Sequence, residues 1–418
     1  MPLVTAPPFA LNSQYRPNKF LVSMTSSDPL VLAQASIVVD SIGVTSMSKS
    51  PLYNIGTTYY FEFDVAKVLQ TYSAPKSTAK TTVFPDTLGV PLNVSNTDCH
   101  TQVGLIISYL YNDPVTGLLT QFATVDTIAT GYPATNGTRQ TRNFAAMGMD
   151  AYIMVTGSGI TPFLTNFPNV VGNPYPICST ENSYISFIPN TCNAVLIETV
   201  DSAGTLIEDG LFSITPSTNL VPTTIGVGMI NLATQTYFTG AVNMSDPNIA
   251  EYRVYVGNAY LIGLNWLFVQ ASEQRVFKKI ECCAERSTRL HWLNRLGGAD
   301  AYTFSSKKTI KQKNKSELAQ VPQTWTYNTP PTTIYDRGLF KIAQDVTIDY
   351  EVESKFYTEA EGLWIAELLS SPEVYLETSD GLVAVVITDS SITTSENNEL
   401  LNVTINFVES NNISVQQN

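Results

Sequence analysis

Two histidines are all that this chain of 418 residues offers for proton transfer near neutral pH. His100 follows Cys99, a neighbour that could supply a thiol nucleophile. Adjacent residues of an extended segment point to opposite faces, so these two side chains would not meet. His291 lies in Arg289-Leu290-His291-Trp292-Leu293, alternating with core-like residues, and reads as a packed or interface histidine rather than a base. Cys282-Cys283 could open a metal site, but no second cysteine pair and no nearby histidine pair completes four ligands. The vicinal pair reads instead as one thiol in a core and one outside it. The carboxylate pairs Glu351/Glu353 and Glu359/Glu361 could serve glycoside hydrolysis, yet each stands in a plain structural setting. Gly-x-Ser-x-Gly, Walker A and Asp-Thr/Ser-Gly sequences are absent. No catalytic residue, no metal and no cofactor is expected, and a glycan depolymerase is the third reading considered.

Binding chemistry is better represented. Residues 275–315 carry eleven Lys/Arg against three acids, a local charge of +8 in a chain whose net charge is −13. The stretch that follows, 316–418, has three bases against sixteen acids. Lys311, Lys313 and Lys315 alternate, so an extended chain places them on one face, with Lys307 and Lys308 just before them. Three roles remain open for this basic arm: a solvated edge that discourages aggregation, an arm that neutralises a neighbouring subunit, or non-specific contact with DNA. No recognition helix or finger accompanies the charge, so sequence-specific reading of DNA is not expected. Upstream, Thr288–Phe304 reads as a strand, a Gly297-Gly298 turn and a second strand. Trp292, Tyr302 and Phe304 could pack there as cross-strand aromatics. Arg289 and Arg295 could reach main-chain carbonyls or a neighbour's acids.

The elements that must hold these residues are mostly strands. Lys19–Ser23, Ala33–Val39 and Thr57–Phe63 are β-prone, and Asp64 caps a short helix carrying Val65, Val68, Leu69 and Tyr72. Residues 73–102 read as a loop. Val103–Tyr111 and Leu118–Ile128 flank an Asn-Asp-Pro turn. Ala194–Val200 and Thr205–Ile214 flank Asp201-Ser202-Ala203-Gly204, and Ile225–Ile230, Glu251–Val256 and Leu261–Gln270 read as further strands. At the C-terminal end Val346, Ile348, Tyr350 and Val352 line one side of a strand. Thr358 and Glu361 form a capping box for a helix burying Leu363, Trp364, Ile365, Leu368 and Leu369, closed by Pro372. The fold class expected is mainly β: tandem antiparallel β-sandwich or barrel domains with a C-terminal α+β module carrying one capped helix. The segments are 1–160 (an N-terminal β domain), 161–274 (a second sandwich), 275–335 (the basic hairpin, arm and linker) and 336–418 (the α+β module).

Composition fits that picture. Charged residues make up only 14% of the chain, so Ser, Thr, Asn and Gln must supply much of the polar surface, as large wet subunit contacts require. No apolar run is long enough to span a bilayer. Met1-Pro2-Leu3-Val4 lacks the basic and apolar regions of a leader, so folding in a cytoplasm is expected. Five cysteines without framework spacing then read mostly as reduced core thiols, although Cys178 and Cys192 could pair in an oxidising setting.

One pattern carries a resemblance. Lys19-Phe20-Leu21-Val22, then Phe61-Glu62-Phe63-Asp64-Val65 with its short helix, then Leu290-x-Trp292-Leu293-Asn294-x-x-Gly297-Gly298-x-Asp300-x-Tyr302-x-Phe304 form one order. It resembles a family of tail structural proteins, ring or hub components, of tailed phages of Bacteroidota, including crAss-like phages. The signature spans 290–304, the strand and capped helix at 345–409 are similar too, and residues 75–250 match only in their β character. The resemblance implies a non-enzymatic virion protein made in the bacterial cytoplasm and repeated about the tail axis. Its partners would be further copies of itself and other tail or connector proteins. A receptor- or glycan-binding tail protein is the alternative. Ring closure needs two different complementary patches, and the basic arm docking on the acidic 345–409 module of an adjacent copy would provide them.

Overall fold

Period-two alternation of apolar residues builds most of this molecule. The computed structural model describes residues 3–5, 12–13, 18–39, 42–73, 93–95, 100–135, 149–157, 159–168, 174–217, 219–281, 287–320, 339–355, 358–393, 402–410 and 413–415. They are mainly antiparallel strands with three short α-helices. The chain divides into two units: residues 1–281 with 293–300, and residues 282–292 with 301–418.

The first unit begins with a sandwich. One sheet has the order β1 (Leu3–Thr5), β3 (Lys19–Thr25), β7 (Thr58–Asp64), β6 (Tyr53–Ile55). The other has the order β2 (Asn12–Ser13), β10 (Leu119–Thr135), β9 (His100–Asn112), β4 (Leu30–Val39), β5 (Ile42–Lys49). Phe20 and Val22, Phe61 and Phe63, Ala33, Ala35 and Ile37, and Val103, Leu105 and Ile107 recur every second residue and meet in one core. Asp64 starts α1 (Ala66–Ser73) by accepting from the Ala66 amide at 3.1 Å. Val65 and Leu69 are buried in the same core.

A second pair of sheets completes this unit. The larger has the order β11 (Tyr175–Cys178), β19 (Arg275–Ile280), β17 (Glu251–Ile262), β13 (Ala194–Val200), β14 (Leu206–Ser213), β16 (Thr239–Gly240), with β18 (Asn265–Gln270) paired to β17. The smaller contains β12 (Tyr184–Phe187), β15 (Thr223–Gly226) and β8 (Asn93–Ser95). Asp201 closes the turn between β13 and β14, accepting from the Ala203 and Thr205 amides at 2.8 Å each. Two sequence expectations fail here. Ile225–Ile230 is not one strand: the Asn231 side chain accepts from the amides of Gly228 and Ser183, and the chain turns into α2 (Met229–Ala233). Leu261–Gln270 is a hairpin turn followed by a strand, because Gly263 takes a left-handed φ of 66° and reverses the chain.

The second unit is one twisted sheet with the order β21 (Ala299–Phe304), β20 (Thr288–Leu293), β24 (Val374–Thr378), β25 (Gly381–Thr393), β26 (Asn402–Glu409), β23 (Leu339–Glu353), β22 (Lys307–Gln320). β27 (Ile413–Val415) also pairs β23. The hairpin strands and the lysine segment thus share a sheet with the strands of 339–409. The capped helix is present as α3 (Glu359–Ser370), with Thr358 and Glu361 bonded reciprocally: the Thr358 amide donates to Glu361 at 2.8 Å and the Glu361 amide to Thr358 at 3.4 Å. Trp364, Ile365 and Leu368 are buried, but Leu363 is 68% exposed, against expectation. At 100° per residue it lies on the side of the helix opposite that stripe.

Cys178 and Cys192 do not pair. Cys178 is disulfide-bonded, whereas Cys192 is a free, buried thiol. Cys178 therefore departs from the expected reduced state, while Cys192 behaves as a core thiol and donates to the Met154 carbonyl at 3.7 Å. Cys99, Cys282 and Cys283 lie outside the described residues, as do most of the expected 73–102 loop and residues 321–338 of the expected linker. Of His100 only the backbone, at the start of β9, is described.

Candidate functional site

The tip of the signature hairpin counts with the first unit, and there its polar residues build the turn. Asn294 is buried and uses both ends of its amide. Its oxygen accepts from the amides of Leu296 and Gly298 at 2.9 Å each. Its nitrogen donates to the Leu164 carbonyl and to Asp300 Oδ2, both at 2.8 Å. Asp300 Oδ1 accepts from the Asn166 amide at 3.0 Å. Gly297 has a φ of 80°, which suits glycine. Gly298 has a different reason for being glycine: a Cβ would stand 2.8 Å from the carbonyl carbon of Leu164. Nearby, Arg275 is buried, donates to the carbonyls of Phe167 and Thr165 at 2.5 and 2.8 Å, and pairs with Glu273 at 2.6 Å. Its guanidinium lies 4.6 Å from the centre of the Phe167 ring. The two terminal guanidinium nitrogens of this basic residue are thus held within its own unit.

The hairpin stems count with the second unit. Trp292 is fully buried and meets Trp364 of α3 at 5.2 Å between ring centres. Tyr302 packs edge-on against Phe304 at 4.9 Å and against Trp364 at 6.0 Å. The expected cross-strand aromatic packing is thus organised around Trp364 rather than directly across the hairpin. Behind it, His291 Nε2 stands 2.6 Å from Glu377 Oε2, and Arg289 Nε lies 3.5 Å from the same oxygen. Arg289 also donates to Thr303 Oγ1 at 2.8 Å. The His291 side chain has no exposed surface and stands against Glu377 inside its unit.

The lysines form no free arm. β22 is hydrogen-bonded to β23 along its whole length, with Lys307 opposite Glu353, Thr309 opposite Glu351, Lys311 opposite Asp349 and Lys315 opposite Asp345. Odd-numbered residues of both strands share one face, so bases on β22 confront acids on β23. Glu351 takes Lys307 at 2.5 Å and Lys311 at 3.3 Å, and Lys313 pairs with Asp349. Hydrogen bonds from Lys307 and Lys311 hold the Glu351 carboxyl below the usual carboxylate range, and the same contact raises the Lys307 ammonium. Lys308, opposite Val352, points to the other face, and all five lysines are exposed. β22 is an edge of its sheet, so its other rim of backbone groups has no strand beside it among the described residues. Lys307, Lys311 and Lys313 thus meet acids of their own chain.

Comparison with known proteins adds no family. No protein-family model matches the chain, and no curated protein matches it. Among solved structures, the chain is similar to a GH family 64 laminaripentaose-producing β-1,3-glucanase from Paenibacillus barengoltzii. Identity is 9%, coverage 68% of this chain and 61% of that one, and the TM-score 0.14. The chain thus spans about three fifths of that enzyme's length, and so slight a likeness carries no argument.

Among the described residues no group of three or more His, Cys, Asp and Glu could hold a metal ion, and no helix is long and apolar enough to cross a membrane. The structure joins Asn294, Gly297, Gly298 and Asp300 in one lock, and Arg289, Trp292, Tyr302 and Phe304 in the stems. The lysines stand on a separate strand. Not foreseen from the sequence are Glu377, the Leu164 carbonyl, Trp364 as the aromatic hub, and the acids of β23 as a ladder. Only the last left a signal, in the alternation of Asp345, Asp349, Glu351 and Glu353.

Proposed function

We propose that this chain is a non-enzymatic structural protein of a phage virion, a ring or hub component of the tail repeated about its axis. The observation that supports this best is how the signature residues are used. Asn294, Gly297, Gly298 and Asp300 build a turn, and Arg289 and His291 converge on the Glu377 carboxylate. Side chains engaged in this way specify shape, and shape is what a repeated building block must hold constant. The mainly β architecture and low charge suit the same role.

The site of contact differs from the sequence expectation. With Lys307, Lys311 and Lys313 paired to Glu351 and Asp349, β22 offers a long sheet edge rather than a free charged arm. The edge strand would meet a different surface on the next copy, as ring closure requires. A tag on the C-terminus, located by gold labelling in negative-stain images of virions, tests the assignment. Label at a fixed level of the tail, repeated about its axis, is expected. Label on fibres alone would favour the receptor-binding alternative, and absence from virions would overturn both.

A further inference from the structure

The hairpin of β17 and β18 is apolar where a solvated hairpin would be polar. Tyr260 faces Leu267, Leu261 faces Trp266 and Ile262 faces Asn265, around a two-residue turn of Gly263 and Leu264. Gly at the first central position, with its left-handed φ, is what a tight II′ turn demands. Cross-strand pairs share a face and successive pairs alternate, so Tyr260 and Leu267 line one face, Leu261 and Trp266 the other. Both faces are open: Leu267 is 50% exposed, Trp266 42%, Ile262 61% and the tip residue Leu264 97%. No charged residue occurs between Arg253 and Glu273, in a chain with 36 acids and 23 bases.

We infer that this hairpin is a membrane-surface anchor whose tip enters the interfacial layer of a lipid bilayer. A protein partner covers one side of a strand ribbon, whereas here both sides and the end are apolar together. The fitting environment is one that closes around the tip. The arrangement along the ribbon has the interfacial order: aliphatic residues at the end, Trp266 and Tyr260 behind them. The Tyr260 hydroxyl accepts from Asn258 at 3.0 Å, at the polar base, and Phe238 buttresses Trp266 at 4.7 Å between rings. From Tyr260 to the turn is three to four residues at ~3.3 Å each, about 10 Å. Interfacial segments reach a depth of ~5–10 Å. This is insertion into one leaflet and no span, and it does not rest on the assembly reading.

Flotation of the full chain with vesicles of phosphatidylcholine, alone or with one third phosphatidylglycerol, tests it. The chain is expected to float with both, without gain from the anionic lipid, because the tip carries no charge. Leu264→Asp should lower the bound fraction at least tenfold while the circular dichroism spectrum stays unchanged, since Leu264 packs against nothing that folding needs. Trp266→Phe should still float but lose quenching of tryptophan emission by brominated phosphatidylcholine. Absence of flotation, or flotation indifferent to Leu264→Asp, would overturn the proposal. So would a Leu264→Asp chain whose self-association is lost while its lipid binding is intact.

Discussion

Asn294 carries more of the signature turn than either glycine, because four hydrogen bonds converge on one buried amide. Replacing it with alanine leaves the Leu296 and Gly298 amides and the Leu164 carbonyl without these partners, at ~1–3 kcal/mol for each buried group. Asn294→Ala should cost about 3–5 kcal/mol of stability, read from the urea midpoint; a shift within error would contradict the lock. The sequence showed the Gly-Gly turn and its signature, but not the receiving carbonyl of Leu164, which lies 130 residues away. Cys192 gives a second residue-scale expectation. Burial pushes its thiol up to about 11 from an ordinary 9.0. The folded state then holds a proton that the unfolded state releases, so stability should fall as pH rises from 9.0 towards 11. In the native state at pH 8 Cys192 should resist iodoacetamide until urea unfolds the chain, and peptide mapping should find it outside any disulfide. Rapid native labelling would refute the buried assignment.

Strands and helices were legible where one face is apolar and the other polar. Ala194–Val200 and the capped helix are read correctly from local pattern, since the Asp201–Gly204 turn and a Thr-x-x-Glu cap are local signals. The Gly263 turn was not, because an apolar run on both faces hides the reversal and a single glycine was the only mark. The cap itself predicts a modest effect: Thr358→Ala should destabilise by ~1 kcal/mol, the usual worth of an N-cap, measured by thermal melting. No change would mean the box does not stabilise α3. The lysine strand predicts a salt effect. With Lys307, Lys311 and Lys313 changed to Ser, amide exchange along β22 should quicken at low salt and approach the unmodified rate at high salt, as screened surface pairs require. The depressed Glu351 carboxyl gives the pH sign: its contribution is present above the ordinary 4.5 and lost as pH falls through the lowered value. Equal exchange in both chains at low salt would show that the ladder contributes nothing.

At the scale of the molecule, the mainly β class was legible from composition and turn spacing, whereas the pairing of distant strands was not. Residues 1–281 with 293–300 make one unit, and the second unit includes hairpin-stem residues 288–292 and 301–304. Boundaries of that kind depend on which distant strands pair, and β20 with β24 is such a pairing. The lysine segment teaches the same lesson, since a charge run looks like an arm until its opposite strand is known. What the whole chain is proposed to do is to assemble, and assembly has a direct reading. Native mass spectrometry of the full-length protein across micromolar concentrations should give one closed homo-oligomer of fixed copy number above three. A chain that stays monomeric throughout that range would contradict the ring.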